Sequence, residues 1–240
     1  MGSEMCIRDR YSNAASLIDE VRARPNVKLE GLYTHFSSAD EFDKIPTRQQ
    51  FDQFIKVVDR VGRNDLMLHA CNSAATIDMP EYQLDMVRPG IAMYGIQPTQ
   101  EIQFPIDLKP VLKLTGRLVA IKDVPAGTKI GYGRSYECSK PSRIGLVQVG
   151  YADGYRRAFS NNANMRLKGV SIPVRGKVSM DQTVVDISNV SEAAIGDEVE
   201  IISAQSTASN SVSSLATRSG LIPYEIVCGL GDRVGRISVE

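Results

Sequence analysis

The chain has 240 residues, 42% of them hydrophobic, enough to bury a core as one large domain or as two of roughly 100 to 150 residues. Its 28 Lys and Arg balance 28 Asp and Glu, and no long run of like charge exists to attract a nucleic acid backbone or an anionic membrane; a small-molecule partner is expected instead. Cys6, Cys71, Cys138 and Cys228 form no CxxC pair and have no His at ligand spacing, which argues against a metal site or a disulfide framework and reads as reduced thiols in a cytoplasmic protein.

Residues 1–10, MGSEMCIRDR, contain no apolar stretch of signal-peptide type and fit neither a helix nor a strand, so they read as a non-native leader. No apolar run in the chain reaches the roughly 18 to 20 residues of a membrane span. In chain order the pattern predicts a helix over Ser12–Arg24, a strand over Leu29–His35, a helix over Thr47–Val61, a strand over Leu66–Ala70, a short helix from Ser73 and a strand over Leu84–Val87. The second helix is the clearest, because Phe51, Phe54, Ile55, Val58 and Val61 recur at helical spacing between Pro46 and Gly62. Strands alternating with helices imply parallel strands with right-handed crossovers, in an α/β barrel or a doubly wound sheet.

Beyond Pro105 and Pro110 the texture changes to β-type alternation over Leu112–Lys122, Arg143–Val149, Val170–Val178, Thr183–Ile187 and Glu198–Ile202. Pro125-Ala126-Gly127, Asp153-Gly154 and Gly196-Asp197 supply the turns of a mostly β domain. The Ser- and Thr-rich stretch Ser203–Ser219 offers a helix in its second half, ending at Gly220, with disorder the main alternative for its first half.

Several residues sit where strands give way to loops. His35 closes a strand and is followed by the small polar run Ser37-Ser38-Ala39-Asp40, a position for a catalytic group in a barrel or for a core His bonded to a carbonyl. Asn72 and Ser73 open a helix just after a strand, either as an anion site or as an ordinary cap. Arg88-Pro89-Gly90-Ile91 repeats that arrangement with a cation, to be weighed against a plain surface charge. Tyr132 lies between Gly131 and Gly133, on a backbone free to approach a ligand closely, or in a simple hairpin turn. GLGDRVG (Gly229 to Gly235) lacks the spacing of a dinucleotide fingerprint.

Taken in order, His35, Asn72-Ser73, Arg88, Tyr132, Tyr151-Ala152-Asp153-Gly154, Met180-Asp181-Gln182 and Tyr224-Glu225 closely resemble the alanine racemases, from about residue 12 to the C-terminus. That resemblance implies a pyridoxal 5'-phosphate (PLP) enzyme: the C-terminal part of a (β/α)8 PLP-binding barrel over residues 11–107, then a mostly β domain over 108–240. It implies a head-to-tail homodimer, alanine as substrate and no bound metal. By the same resemblance Tyr132 would be one of two bases, Arg88 would face the pyridine nitrogen and keep it unprotonated, and His35 would link Tyr132 to Arg88. Asn72, Ser73, Gly90, Ile91 and Tyr224 would hold the cofactor phosphate. Met180, Asp181 and Tyr151 would meet the substrate, with Asp40 and Arg157 at the mouth of the site.

Two departures stand out. The family's other base is a lysine in a motif like KANAYGHG, which also holds the cofactor covalently, and no such motif occurs in these 240 residues. Also missing is the downstream segment that carries an Arg assisting the cofactor and substrate, and in a smaller departure Arg233-Val234-Gly235-Arg236 has Gly where the family commonly has Pro. The expectation is therefore a family fragment, inactive alone. A decarboxylase of the same fold type, or a catalytically silent binding module, is the alternative.

Overall fold

The computed structural model describes residues 11–63, 65–104 and 106–238, and the proposed leader 1–10 lies outside them. The chain divides into two compact units, residues 1–108 and 109–240. Among the described residues no helix is long and apolar enough to cross a membrane, and no group of three or more His, Cys, Asp or Glu is arranged to hold a metal.

The first unit runs α1 (Tyr11–Arg22), β1 (Gly31–Tyr33), α2 (Ile45–Val61), β2 (Met67–His69) and α3 (Ser73–Asp78), followed by single helical turns at Pro80–Tyr82 and Ile91–Tyr94. β1 and β2 are parallel, pairing Gly31 with Met67, Leu32 with Leu68 and Tyr33 with His69. Side chains alternate across a strand, so Leu32 and Leu68 share one face and Tyr33 and His69 the other. The leucine face packs on α2, where Phe54 and Val58 join Leu66 and Leu68 in a buried cluster. This is the stripe the helical spacing predicts. Pro46 sits in the first turn of α2, and Gly62 follows its end at φ 76°, a backbone state that other residues rarely adopt.

A second cluster joins Phe36, Ala39, Ala70, Cys71, Ala74, Ala75 and Met79, with Phe51 and Tyr82 stacked beside it at 4.0 Å. Under it lies an ion pair with both side chains almost fully buried: Lys44 Nζ stands 3.1 Å from Asp78 Oδ2. Lys44 also donates to Ala39 O at 2.8 Å, while Asp78 accepts from the N–H groups of Gln103 and Phe104 at 3.0 and 3.1 Å. The strand expected over Leu84–Val87 is reduced to one parallel bridge between Met86 and His69. Leu84 takes φ 55°, and Asp85 spends its carboxylate on Leu68 N–H and on Arg63, which breaks a regular run there.

The second unit is built on a six-stranded antiparallel sheet. Its strands are β3 (Leu114–Val124), β6 (Ser142–Val147), β7 (Asn164–Leu167), β8 (Val170–Pro173), β9 (Thr183–Asp186) and β10 (Glu198–Ile202), in the order β8-β7-β10-β3-β6-β9. The long β3 serves both halves, its first residues pairing with β10 and Leu118–Val124 with β6. A bridge between Val174 and Val185 links the two outer strands, so the sheet nearly closes on itself and leaves little open edge. Leu118, Val147, Met165, Leu167, Val185, Ile187, Val199 and Ile201 fill the interior. Gly145 makes room there: a Cβ would lie 2.6 Å from Leu118 Cδ1, so the buried Leu118 side chain would have to shift.

β4 (Lys129–Ile130) and β5 (Tyr136–Glu137) form a separate hairpin, and α4 (Val212–Ser219) and α5 (Pro223–Cys228) follow the sheet. The alternation expected over Val170–Val178 stops as a strand at Pro173, and β7 is additional to the expected strands. β7 and β8 are joined by Lys168 and Gly169, both at positive φ (49° and 80°), the signature of a tight two-residue hairpin. Residues 203–211 are held in place: Asn210 is fully buried and donates to Glu200 O at 3.1 Å, and Ser203 bridges to Ser211. α4 then starts on the Ser211 cap and ends at Gly220, as the sequence indicates.

Candidate active site

Parallel pairing brings the C-terminal ends of β1 and β2 side by side, and Arg88 follows two residues after the Met86 bridge to β2. The Arg88 guanidinium is fixed from several directions. Its Nη2 donates to Thr34 O at 2.9 Å, Ala70 O at 3.4 Å and His35 Nδ1 at 3.2 Å, while Nη1 contacts His69 Nδ1. The guanidinium also lies 5.0 Å from the centre of the Tyr33 ring, which stacks on His69 with an interplanar angle of 1°. Arginine has only donors, so both Nδ1 atoms accept and both imidazoles are held without a proton there. Burial, and then the Arg88 charge, push His35 and His69 below the ordinary histidine value. Arg88 has no carboxylate partner among the described residues.

Gln50 secures this corner from behind, donating to Thr34 Oγ1 and to His35 O at 2.9 Å each and accepting from Ser37 N–H at 3.1 Å. Buried Ser73 accepts at Oγ from Gly90 N–H at 2.8 Å and Ala92 N–H at 3.3 Å, which ties the start of α3 to the turn after Arg88. A Cβ on Gly90 would meet nothing within 4 Å, so that side of the turn is open. Asn72 is committed to the fold: its side chain caps α3 through Ala75 N–H at 3.1 Å and donates to Phe36 O at 3.4 Å. Ile91 points its side chain into the core.

In the second unit Tyr132 sits on a helical turn inside the β4–β5 hairpin, flanked by Gly131 and Gly133 at φ 75° and 69°, with 70% of its surface exposed. Tyr151 and Met180 are brought together by backbone bonds from Tyr151 N–H to Ser179 O and from Ala152 N–H to Met180 O, both 3.0 Å. A Cβ on Gly150 would collide with the Met180 carbonyl, so only glycine permits this approach. The Met180 N–H has no protein acceptor among the described residues. Asp181 is held by Arg233, which reaches it at 2.8 Å and reaches Asp153 at 3.0 Å. Tyr224 lies in the first turn of α5, and Asp40 and Arg157 are exposed.

The family model described as alanine racemase, C-terminal domain, matches residues 111–238, and that described as alanine racemase, N-terminal domain, matches residues 10–98. The chain belongs to the alanine racemase family. An alanine racemase of Halothermothrix orenii is 44% identical over 232 residues, covering 95% of this chain and 61% of that protein. The alanine racemase structure from D-cycloserine-producing Streptomyces lavendulae superposes with a TM-score of 0.88 at 32% identity, covering 95% of this chain and 62% of that one. The Bartonella henselae alanine racemase, solved with covalently bound pyridoxal phosphate, gives a TM-score of 0.84 at 27% identity, over 96% and 62% of the two chains. The chain thus spans about three-fifths of the length of these relatives. Its fold is the C-terminal part of the family's (β/α)8 barrel followed by the β domain.

The sequence assigns no site role to Tyr33, His69 or Arg233. Tyr33 and His69 meet only because the parallel register sets them opposite each other, and Arg233 joins two loops far apart in the chain. The alternation of Tyr33 with Leu32 was the one available signal for that face.

Proposed function

We propose that this chain carries the tyrosine base of a PLP-dependent alanine racemase that interconverts L-alanine and D-alanine in the cytoplasm, supplying D-alanine for peptidoglycan. The observation that carries the reading is Arg88, a cation locked at the strand ends by two imidazoles and two carbonyls, with no carboxylate bonded to it among the described residues. An arginine does not give up its proton, so such a group suits a neutral acceptor such as a pyridine nitrogen and leaves it unprotonated. The phosphate end fits as well, since the Ser73 hydroxyl, while accepting from two N–H groups, keeps its own hydrogen to donate beside the open side of Gly90. Ser73, the Ile91 N–H and the Tyr224 hydroxyl would hold that phosphate, with Gly90, whose N–H is given to Ser73 Oγ, leaving room for it and Asn72 shaping the turn.

PLP, when bound, supplies an electron sink that stabilises the charge left on the substrate carbon as its α-proton departs. Tyr132 would take that proton at its side-chain oxygen when it acts as base, and would return it from the resulting hydroxyl when it acts as acid, on one face. The Met180 N–H, with Tyr151 beside it and Asp181 anchoring the loop, receives the substrate carboxylate, and Asp40 and Arg157 line the way in. The base for the opposite face is a lysine that does not occur in these 240 residues in the family's motif. In a head-to-tail homodimer Tyr132 would serve the partner subunit's barrel, with His35 between it and Arg88.

The test joins this chain, from Tyr11, to the part of the Halothermothrix orenii protein that precedes the matched region and follows α-hydrogen exchange of each alanine enantiomer in deuterated solvent. Tyr132→Phe should slow exchange of one enantiomer about 10²- to 10⁴-fold and leave the other far faster. Arg88→Ala should alter cofactor absorbance and slow both. Equal slowing of both enantiomers by Tyr132→Phe, with Arg88→Ala silent, would refute the assignment. The 240-residue chain alone should show no racemisation.

A further inference from the structure

The turn that carries Tyr132 is held by an unusual contact. Gly131 comes so close to the segment after β8 that a Cβ on it would lie 2.9 Å from Lys177 N and 3.2 Å from Gly176 Cα. On the other side a Cβ on Gly176 would lie 3.1 Å from Ile130 O. Two backbones therefore pack without side chains between them, and among the described residues no backbone hydrogen bond joins them. Bare van der Waals contact between two turns does little to fix one against the other.

One side chain spans the contact. Asn161 Oδ1 accepts from Gly176 N–H at 2.6 Å, and its Nδ2 donates to Ser135 O at 3.0 Å. Asn161 itself has φ 56°, a state that Asn tolerates better than most residues, and this aims the amide at both neighbours. The adjacent Ser160 Oγ accepts from Val178 N–H at 3.0 Å, so residues 160 and 161 hold the receiving segment at two points. Among the described residues one more side chain reaches across: the Arg175 guanidinium lies 4.5 Å from the centre of the Tyr136 ring. A stacked cation resists separation more than sliding, whereas an amide bonded at both ends fixes position in the plane.

We propose that Asn161 is a positioning residue for proton transfer, because its amide clamps the Tyr132 turn onto the Gly176–Val178 segment. The inference rests on reading Tyr132 as a base; the clamp itself is testable without it.

Amide exchange in the full 240-residue chain reads the clamp directly. The reporters are Arg134, whose N–H bonds Gly131 O at 3.0 Å, Gly176 on the receiving side, and Leu146 in the β3–β6 ladder as a measure of the intact sheet. Asn161→Gly accepts the positive φ and removes both bonds, so Arg134 and Gly176 should exchange about tenfold faster with Leu146 unchanged. Asn161→Asp keeps the acceptor for Gly176 but loses the donor to Ser135 O, so Arg134 alone should speed up. Asn162→Ala, which removes a bond to Arg218 O, should change neither. If Asn161→Gly also speeds Leu146, the isosteric Asp variant decides. Unchanged Arg134 exchange in Asn161→Asp, or an equal rise in Asn162→Ala, overturns the proposal. In the joined enzyme Asn161→Gly should slow exchange on the Tyr132 face only. Equal slowing on both faces, with Tyr132→Phe still one-sided, would sink the positioning role and leave the base assignment standing.

Discussion

The two units solve the problem of a β-sheet's open edges in opposite ways. In the second unit the Val174–Val185 bridge joins the outer strands, and the inward residues of β3, β6, β7, β9 and β10 are almost wholly buried. In the first, β1 pairs with β2 alone among the described residues, and the face bearing Tyr33, Met67 and Met86 leaves those side chains 62%, 48% and 37% exposed. Parallel strands are ordinarily covered on both faces. The cation and imidazoles of the candidate site thus stand on the less covered sheet, held by side-chain bonds to carbonyls, while Tyr132 and Met180 stand on loops of a nearly closed one. A site residue on the first unit depends on a backbone with fewer neighbours.

The largest consequence is in resistance to opening. Limited proteolysis should cut the first unit orders of magnitude faster and leave a stable piece beginning near Lys109, because local opening is easiest where few apolar contacts protect the backbone. A stable product beginning well before residue 90 would break the comparison. Next in size is the buried Lys44–Asp78 pair, both of whose side chains are nearly inaccessible. Asp78→Ala strands a buried ammonium and two N–H groups, and should cost the first unit about 3–5 kcal/mol. Replacing both residues by apolar ones of similar volume should recover most of that loss. Denaturant unfolding followed separately in each unit by amide exchange checks it, and an equal loss in the second unit would show that the units are not independent.

How much of this was legible in the sequence varies residue by residue. The α2 stripe was, because one helical face repeats over about three turns from Phe51 to Val61 and Pro46 and Gly62 mark the helix ends. The sequence also put His35 and Arg88 just past strand-like segments and Tyr132 in a turn between glycines, and that is where they lie. β7 was not, because Asn164-Met165-Arg166-Leu167 is short and its turn uses Lys168 at φ 49°, a residue that does not advertise a tight hairpin. The Leu84–Val87 strand was overread: its alternation is genuine, but Asp85 turns inward to the Leu68 N–H. Asn161 could not have been found, since its two partners, Ser135 and Gly176, come together only in the folded hairpin. Local periodicity and turn chemistry are written along the chain; contacts between distant loops are not.

The smallest expected effect is a pH dependence confined to the first unit. His35 and His69 both have folded-state values below 6.5, owing to burial and to the adjacent Arg88. The unfolded chain therefore binds more protons than the folded one in the window just below 6.5, so stability rises with pH through that window. The contribution is present above the unfolded value and is lost as pH falls through the lowered folded-state values, because protonation places an Nδ1–H against a guanidinium that can only donate. The effect is modest, since His35 is exposed and His69 only partly buried. Amide exchange at Leu32 and Leu68 should quicken between pH 7 and 5 beyond the intrinsic chemical trend, while Leu146 in the second unit should follow that trend alone. His35→Gln with His69→Gln should flatten the first response; a response that survives both substitutions would mean that another group in the first unit titrates there.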